Sequence, residues 1–242
     1  MRVKCLNEAG RALAYWMGLE LDIATHHPDP ERKQAADDLV ALMTPIVKSF
    51  LTDHGFEAAN AGVQVFGGHG YIREWGMEQR VRDARITQIY EGTNGIQALD
   101  LVGRKLPTGM GRLARRFFHP VSEFIETGSE KPEMAEFVLP LAKAFAKLQQ
   151  ATAWLAQAGL ADPEEAGAAA TDYLRLFALV ALGFMWCRMA EIALAKKSGD
   201  EAEFYNAKLA SARFFMARIL PETNSLFTVL TSGKATLMAL PA

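Results

Sequence analysis

Residues 162–198 read DPEEAGAAATDYLRLFALVALGFMWCRMAEIALAKKS, and the folding of this stretch decides the architecture of the 242-residue chain. It contains the longest uninterrupted apolar run, Leu176 to Cys187, 12 residues between Arg175 and Arg188. A membrane-spanning helix needs about 18 or more such residues, so this run reads as a helix buried inside a folded protein. Asp162-Pro163-Glu164-Glu165 is a clear helix start. Proline fits the first turn, where no N–H is required, and acids sit well at the positive end of the helix dipole. The spacing predicts a helix over 164–198.

Outward from it, the same periodicity recurs. Ala9, Leu13, Trp16, Met17 and Leu21 predict a helix over 2–25, broken by His26-His27-Pro28-Asp29-Pro30. Leu39, Leu42, Met43, Ile46, Val47, Phe50 and Leu51 predict a second over 31–65, with Pro45 as a place for a kink. Gly67-Gly68-His69-Gly70 must end it, because glycine is poor in helices and permits positive φ. Short helices over 76–83 and 93–105 flank Ala84 to Gly92. From Pro107 to Pro132 the breakers Pro107, Gly109, Gly111, Pro120, Gly128 and Pro132 surround a basic patch of Arg112, Arg115 and Arg116. That reads as a linker with one short helix. Helices over 133–159 and 200–220 follow, the latter closed by Pro221, with a final piece over 222–239. No window shows good strand alternation; Arg85 to Tyr90 comes nearest. The expected class is all-α, in two helical units, 1–106 and 133–242, split by 107–132.

Composition removes several function classes. With 26 Lys+Arg against 28 Asp+Glu, a net charge of -2 and 50% hydrophobic residues, the chain can bury a core and lacks the basic excess of a nucleic-acid binder. Cys5 and Cys187 are too few for a disulfide framework, read as core thiols on apolar helix faces, and fit a reducing cytoplasm. No apolar run follows the first positive charges, so no signal peptide is expected. His26 and His27 are adjacent, cannot face one ion from a helix, and have no partner at i, i+4, so no metal is expected. No nucleophile elbow, phosphate loop or dinucleotide fingerprint is present.

Eleven of the 19 glycines lie between Gly55 and Gly111, under a quarter of the chain, and they mark two segments. The first is Gln64-Val-Phe-Gly-Gly-His-Gly-Tyr71. It could be an ordinary glycine-ended helix, yet three glycines in four residues exceed what one cap needs. Bare backbone suits the approach of a ligand or another chain, with N–H groups offered to an anion. The second runs Arg82-Asp-Ala-Arg-Ile-Thr-Gln-Ile-Tyr-Glu-Gly-Thr-Asn-Gly-Ile-Gln97. There Glu91 is either an acid favoured by a helix N-terminus or a general base, whose pKa would rise toward neutrality in an apolar cleft.

Together, Gln64 to Tyr71 and Met77 to Asn94 closely resemble the C-terminal helical domain of flavin-dependent acyl-CoA dehydrogenases, in order and spacing. Residues 1–106 look like the later part of that domain, a four-helix bundle whose first helix would lie outside the chain. Residues 133–240, with Phe204 to Phe215 and Leu220 to Thr223, resemble the extra C-terminal helical domain of one subgroup of broader acyl-CoA choice. The resemblance implies that Glu91 is the base removing the Cα proton of an acyl-CoA while Cβ gives hydride to FAD, yielding a trans-2-enoyl-CoA. It implies that the Glu91 N–H donates to the thioester oxygen, and that Tyr90, Glu91 and Gly92 line the substrate. It further implies that Ile89, Tyr90 and Thr93 line or contact the flavin, and that Gln64, Gly67 and Gly68 hold the ADP half of a neighbouring subunit's FAD. A homo-oligomer, dimer or tetramer, and electron-transferring flavoprotein as acceptor follow from the same likeness. The family's N-terminal helical domain and middle β-domain have no counterpart in these residues, so the chain alone is expected to be inactive. A freestanding helical interaction module without catalysis is the other reading.

Overall fold

The computed structural model describes residues 1–239; the last three residues of the unit expected over 133–242 lie outside them. Among the described residues there is no strand. The helices are α1 (Arg2–His26), α2 (Pro30–Phe66), α3 (Gly68–Tyr71), α4 (Met77–Arg85), α5 (Asn94–Asp100), α6 (Arg112–Ser129), α7 (Ala135–Ala161), α8 (Pro163–Lys196), α9 (Ala202–Arg218) and α10 (Glu222–Leu230).

The stretch read first is the centre of the molecule. Every residue from Leu176 to Cys187 is buried, and α8 packs against α1, α2, α5, α7, α9 and α10. Its length and composition would suffice to cross a membrane, but it spends them on contacts with its own chain. Asp162 caps it, accepting from the Glu164 N–H at 3.0 Å, with Pro163 in the first turn. The same logic starts α2: Asp29 accepts from the Glu31 N–H at 3.0 Å and Pro30 follows. The His27 Nδ1 accepts from the Asp29 N–H at 3.1 Å, so these side chains serve the break between α1 and α2.

Helix α2 runs unbroken through the buried Pro45 for 37 residues. It ends at Gly67, whose φ of 59° an L side chain rarely adopts. The chain then reverses through α3 with Gly70 against α2. A Cβ at Gly70 would come within 2.5 Å of the Val63 carbonyl oxygen, so only glycine fits there.

Two expectations change. Residues 112–129 are not a linker with one short helix but the 18-residue helix α6. Pro120 disguised it: a proline interrupts helical hydrogen bonding locally, but Leu113, Ala114, Phe117 and Val121 form a buried stripe that holds the helix together. The final piece, expected over 222–239, is helical only to Leu230, because Gly233 at φ 78° turns the chain. Lys234 then ties the end to the start of α8, pairing with Asp162 and Glu164 and donating its N–H to Glu165 at 2.9 Å.

Candidate active site

The second glycine segment forms a loop between α4 and α5, and α2 positions it. A 3-10 turn at Ile86–Gln88 leads to Ile89, Tyr90 and Glu91, and Thr93 caps α5 by accepting from the Ile96 N–H at 3.4 Å. Glu91 is left-handed, with φ 55°, followed by Gly92 at 81°. A left-handed L residue is costly and persists only where its surroundings over-determine it. Those surroundings are explicit. Gln97 Nε2 donates to the Glu91 carbonyl at 3.0 Å, and Lys48 Nζ donates to the Gly92 carbonyl at 2.7 Å and to Asn94 Oδ1 at 2.8 Å. Asp53 accepts from Gln88 Nε2 at 2.6 Å and from Asn94 Nδ2 at 2.7 Å.

With both carbonyls turned toward α2 and α5, the Glu91 N–H has no hydrogen-bond partner among the described residues. Ile89, Tyr90, Glu91, Gly92 and Thr93 are all exposed. The apolar cleft that would desolvate Glu91 is therefore not supplied by the described residues. What they do supply is a carboxylate and an unsatisfied N–H from one residue, held by two side-chain bonds to its loop.

Lys48, Asp53, Gln88, Asn94 and Gln97 are not among the expected site residues. One signal existed. Lys48, Ser49, Thr52 and Asp53 form a polar stripe at i, i+1, i+4 and i+5 inside an otherwise apolar stretch of α2, and such a stripe needs a polar partner.

The other expected residues lie elsewhere. Gln64 lies in the last turn of α2, 11 residues beyond Asp53, which at helical rise is about 16 Å along the axis, and Gly67 and Gly68 follow at the turn into α3. All three are exposed, and a Cβ on Gly67 or Gly68 would meet nothing within 4 Å. Beside them Phe66, His69 and Trp75 pack edge to face, with ring centroids 6.4 Å and 5.4 Å from Trp75. The two glycine segments are thus two separate surfaces joined by α2.

Two family models match the chain. One described as acyl-CoA dehydrogenase, C-terminal domain, covers residues 24–106; one described as acetyl-CoA dehydrogenase C-terminal like covers 117–241. The chain is 39% identical to 3-methylmercaptopropionyl-CoA dehydrogenase of Ruegeria pomeroyi over 96% of its own length and 40% of that protein's. It is 29% identical to a broad-specificity linear acyl-CoA dehydrogenase of Mycobacterium tuberculosis, over 95% of this chain and 39% of that one. It therefore spans about two fifths of the relatives it matches. The fold is similar to that of Caenorhabditis elegans ACDH-11, solved in complex with C11-CoA, with a TM-score of 0.70 and 17% identity, covering 88% of this chain and 34% of that one.

Proposed function

The chain belongs to the acyl-CoA dehydrogenase family, and from that premise we propose that it is the C-terminal portion of an enzyme that introduces a trans double bond between Cα and Cβ of an acyl-CoA. The observation that carries the reading is Glu91: a carboxylate and an unbonded N–H on one left-handed residue, with its carbonyl held away.

The Glu91 carboxylate takes the Cα proton. Its N–H donates to the thioester oxygen, where negative charge grows as that proton leaves. Tyr90 and Gly92 flank the reacting carbons. Lys48 and Gln97 keep the loop from relaxing to a conformation that would bond the N–H elsewhere. FAD, when bound, supplies the acceptor for the hydride leaving Cβ. The residues present fit it. Thr93 Oγ1 accepts from Ile96, leaving the hydroxyl proton to donate outward. The exposed glycines at the end of α2 leave room for the ADP half of a second copy's cofactor, so the site is shared within a homo-oligomer. Electron-transferring flavoprotein would then serve as the electron acceptor. The buried thiols Cys5 and Cys187 suit a cytoplasmic setting.

Because Glu91 is exposed here, turnover needs a cover that excludes water, and the unmatched three fifths of the relatives have the length for it. The chain with added FAD is expected to show no dye-coupled acyl-CoA oxidation. In the assembled enzyme, Glu91→Gln is expected to lower turnover about 10²- to 10⁴-fold with flavin absorbance retained. Unchanged turnover in that variant removes Glu91 as the base. A non-catalytic assembly module is favoured by the exposed Val65, Phe66, Tyr71, Ile72 and Trp75; under that reading the assembled protein oxidises no acyl-CoA at all.

A further inference from the structure

Where the end of α5, the start of α6, the end of α7 and the start of α8 converge, an apolar cavity of about 570 Å³ opens to the surface. Its size lies within the range of small-molecule sites, and it shares no residue with the Glu91 loop. Val102 and Leu106 form one wall, Leu155 and Leu160 another, and Met110 with Gly111 the rim.

Several features of this cavity are not explained by packing. Met110 and Leu160, 92% and 88% exposed, are the most exposed large apolar side chains among the described residues, and both line this one cavity. The rim segment Gly109-Met110-Gly111 has three successive positive φ angles, 57°, 53° and 79°. The wall at Leu101–Lys105 is a π-helical turn, closed by the Leu106 N–H on the Leu101 carbonyl at 2.9 Å.

The polar groups define the ligand. Thr152 lines the cavity, but its hydroxyl donates to the Leu148 carbonyl at 2.7 Å and therefore accepts from the Tyr173 hydroxyl at 2.8 Å. Neither hydroxyl has a proton left to offer. A polar body would lose hydrogen bonds on entry, whereas an alkyl chain loses none and leaves water. At the rim, the exposed Arg115 donates one guanidinium N–H to the Met110 carbonyl at 2.8 Å, which sets a positive charge beside the mouth.

We propose that this cavity binds an alkyl chain bearing an anionic head group, the chain against Val102, Leu106 and Leu155 and the head at Arg115. A fatty carboxylate and the phosphates of an acyl-CoA share that chemistry.

The test titrates the purified chain with decanoate, decanoyl-CoA and decan-1-ol, followed by calorimetry. Ala156 lines the cavity from an exposed position on α7, so Ala156→Phe fills it without disturbing the core. Leu160→Asp, at an exposed position, places a negative charge on the rim and serves if the first variant melts early by circular dichroism. Saturable binding of decanoate or decanoyl-CoA is expected, weakened at least about tenfold by either variant. Whichever ligand binds identifies the source. Arg115→Ala should weaken the anionic ligands about two- to fivefold, as for an exposed ion pair, and leave decan-1-ol unchanged. Absence of saturable binding, or equal binding in both cavity variants, overturns the proposal. So does a dimer that Ala156→Phe converts to monomer in a chain that binds none of the ligands, since a second copy would then fill the cavity.

Discussion

Glu91 and Met110 are the non-glycine residues at positive φ among those described, and the two differ in what holds them there. Glu91 is fixed by Gln97 and neighbours Gly92, itself held by Lys48. Met110 lies between two glycines, with its carbonyl on Arg115. A left-handed L residue costs about 1–2 kcal/mol. Glycine removes that cost but adds unfolded-state entropy of about 0.5–1 kcal/mol. Met110→Gly should therefore stabilise the chain by about 0.5–1 kcal/mol, read as a higher urea midpoint; a lower midpoint would show that the exposed Met110 side chain contributes packing. Position in the motif marked Glu91, but nothing in the residue type announces its φ, since Glu is not a left-handed residue by preference. His54 was equally silent. It is 8% exposed, and neither ring nitrogen has a hydrogen-bond partner. Burial holds its pKa below 6.5; Arg2 and Arg175 push the same way, while Glu57 and the nearby Val3 carbonyl oppose. The unfolded chain takes up this proton near pH 6.5 and the folded chain only at lower pH. The stability tied to neutral His54 is thus complete above about pH 6.5 and is lost as pH falls from there toward the depressed folded value. His54→Phe should flatten the stability profile across that window; an unchanged slope would mean another group carries it.

At the scale of elements, apolar periodicity located α1 and α2, which each bury a stripe that the sequence displays, and the unbroken apolar run located α8, which is buried on every side along that run. It could not say what a polar stripe meets. Arg112 and Arg116, read as a basic patch on a linker, both reach Asp38 of α2, at 3.1 Å and 3.2 Å, and Asp38 is only 3% exposed. They dock α6 onto α2. That pairing joins residues 74 and 78 positions apart, and no local spacing encodes it. The candidate site was half legible for the same reason. Its loop carries a recognisable motif, whereas its support comes from Lys48 and Asp53, some 40 residues earlier. Asp53→Ala strands the amide donor of Gln88 and takes from Asn94 Nδ2 the shortest of its three acceptors, leaving it the Ser49 carbonyl and the Thr52 hydroxyl; an unsatisfied partly buried donor costs about 1–3 kcal/mol. The urea midpoint should fall accordingly, and in the assembled enzyme kcat should fall with it, although Glu91 is untouched. Asp53→Asn keeps an acceptor oxygen and should recover most of both. If Asp53→Ala alters stability but leaves kcat intact, the network braces the helices without positioning Glu91.

For the whole molecule, the question is whether the two stretches matched by separate family models also unfold separately. The division expected from the breakers at 107–132 would allow two transitions. The packing argues for one. Trp16 of α1 lies 6.4 Å from Phe117 of α6 and 5.8 Å from Phe184 of α8, and Phe117 lies 4.8 Å from Phe177 of α8, all measured between ring centroids. First half, junction and second half thus share one aromatic cluster, inside a buried core continuous from Cys5 to Leu230. A domain boundary is a place few contacts cross, and here α8 crosses it to reach α1, α2 and α5. Unfolding one half would expose the faces of Phe177 and Phe184 that the other half covers, so a half-folded state loses burial without regaining much chain entropy. Hydrogen exchange in rising denaturant should therefore show the central amides of α2 and α7 opening with the same free energy and the same denaturant slope. Phe117→Ala sits at the hinge of that cluster and should lower both openings equally, by about 3–5 kcal/mol. If α7 keeps its protection while α2 loses it, the halves are independent and the shared cluster is only a contact between two domains.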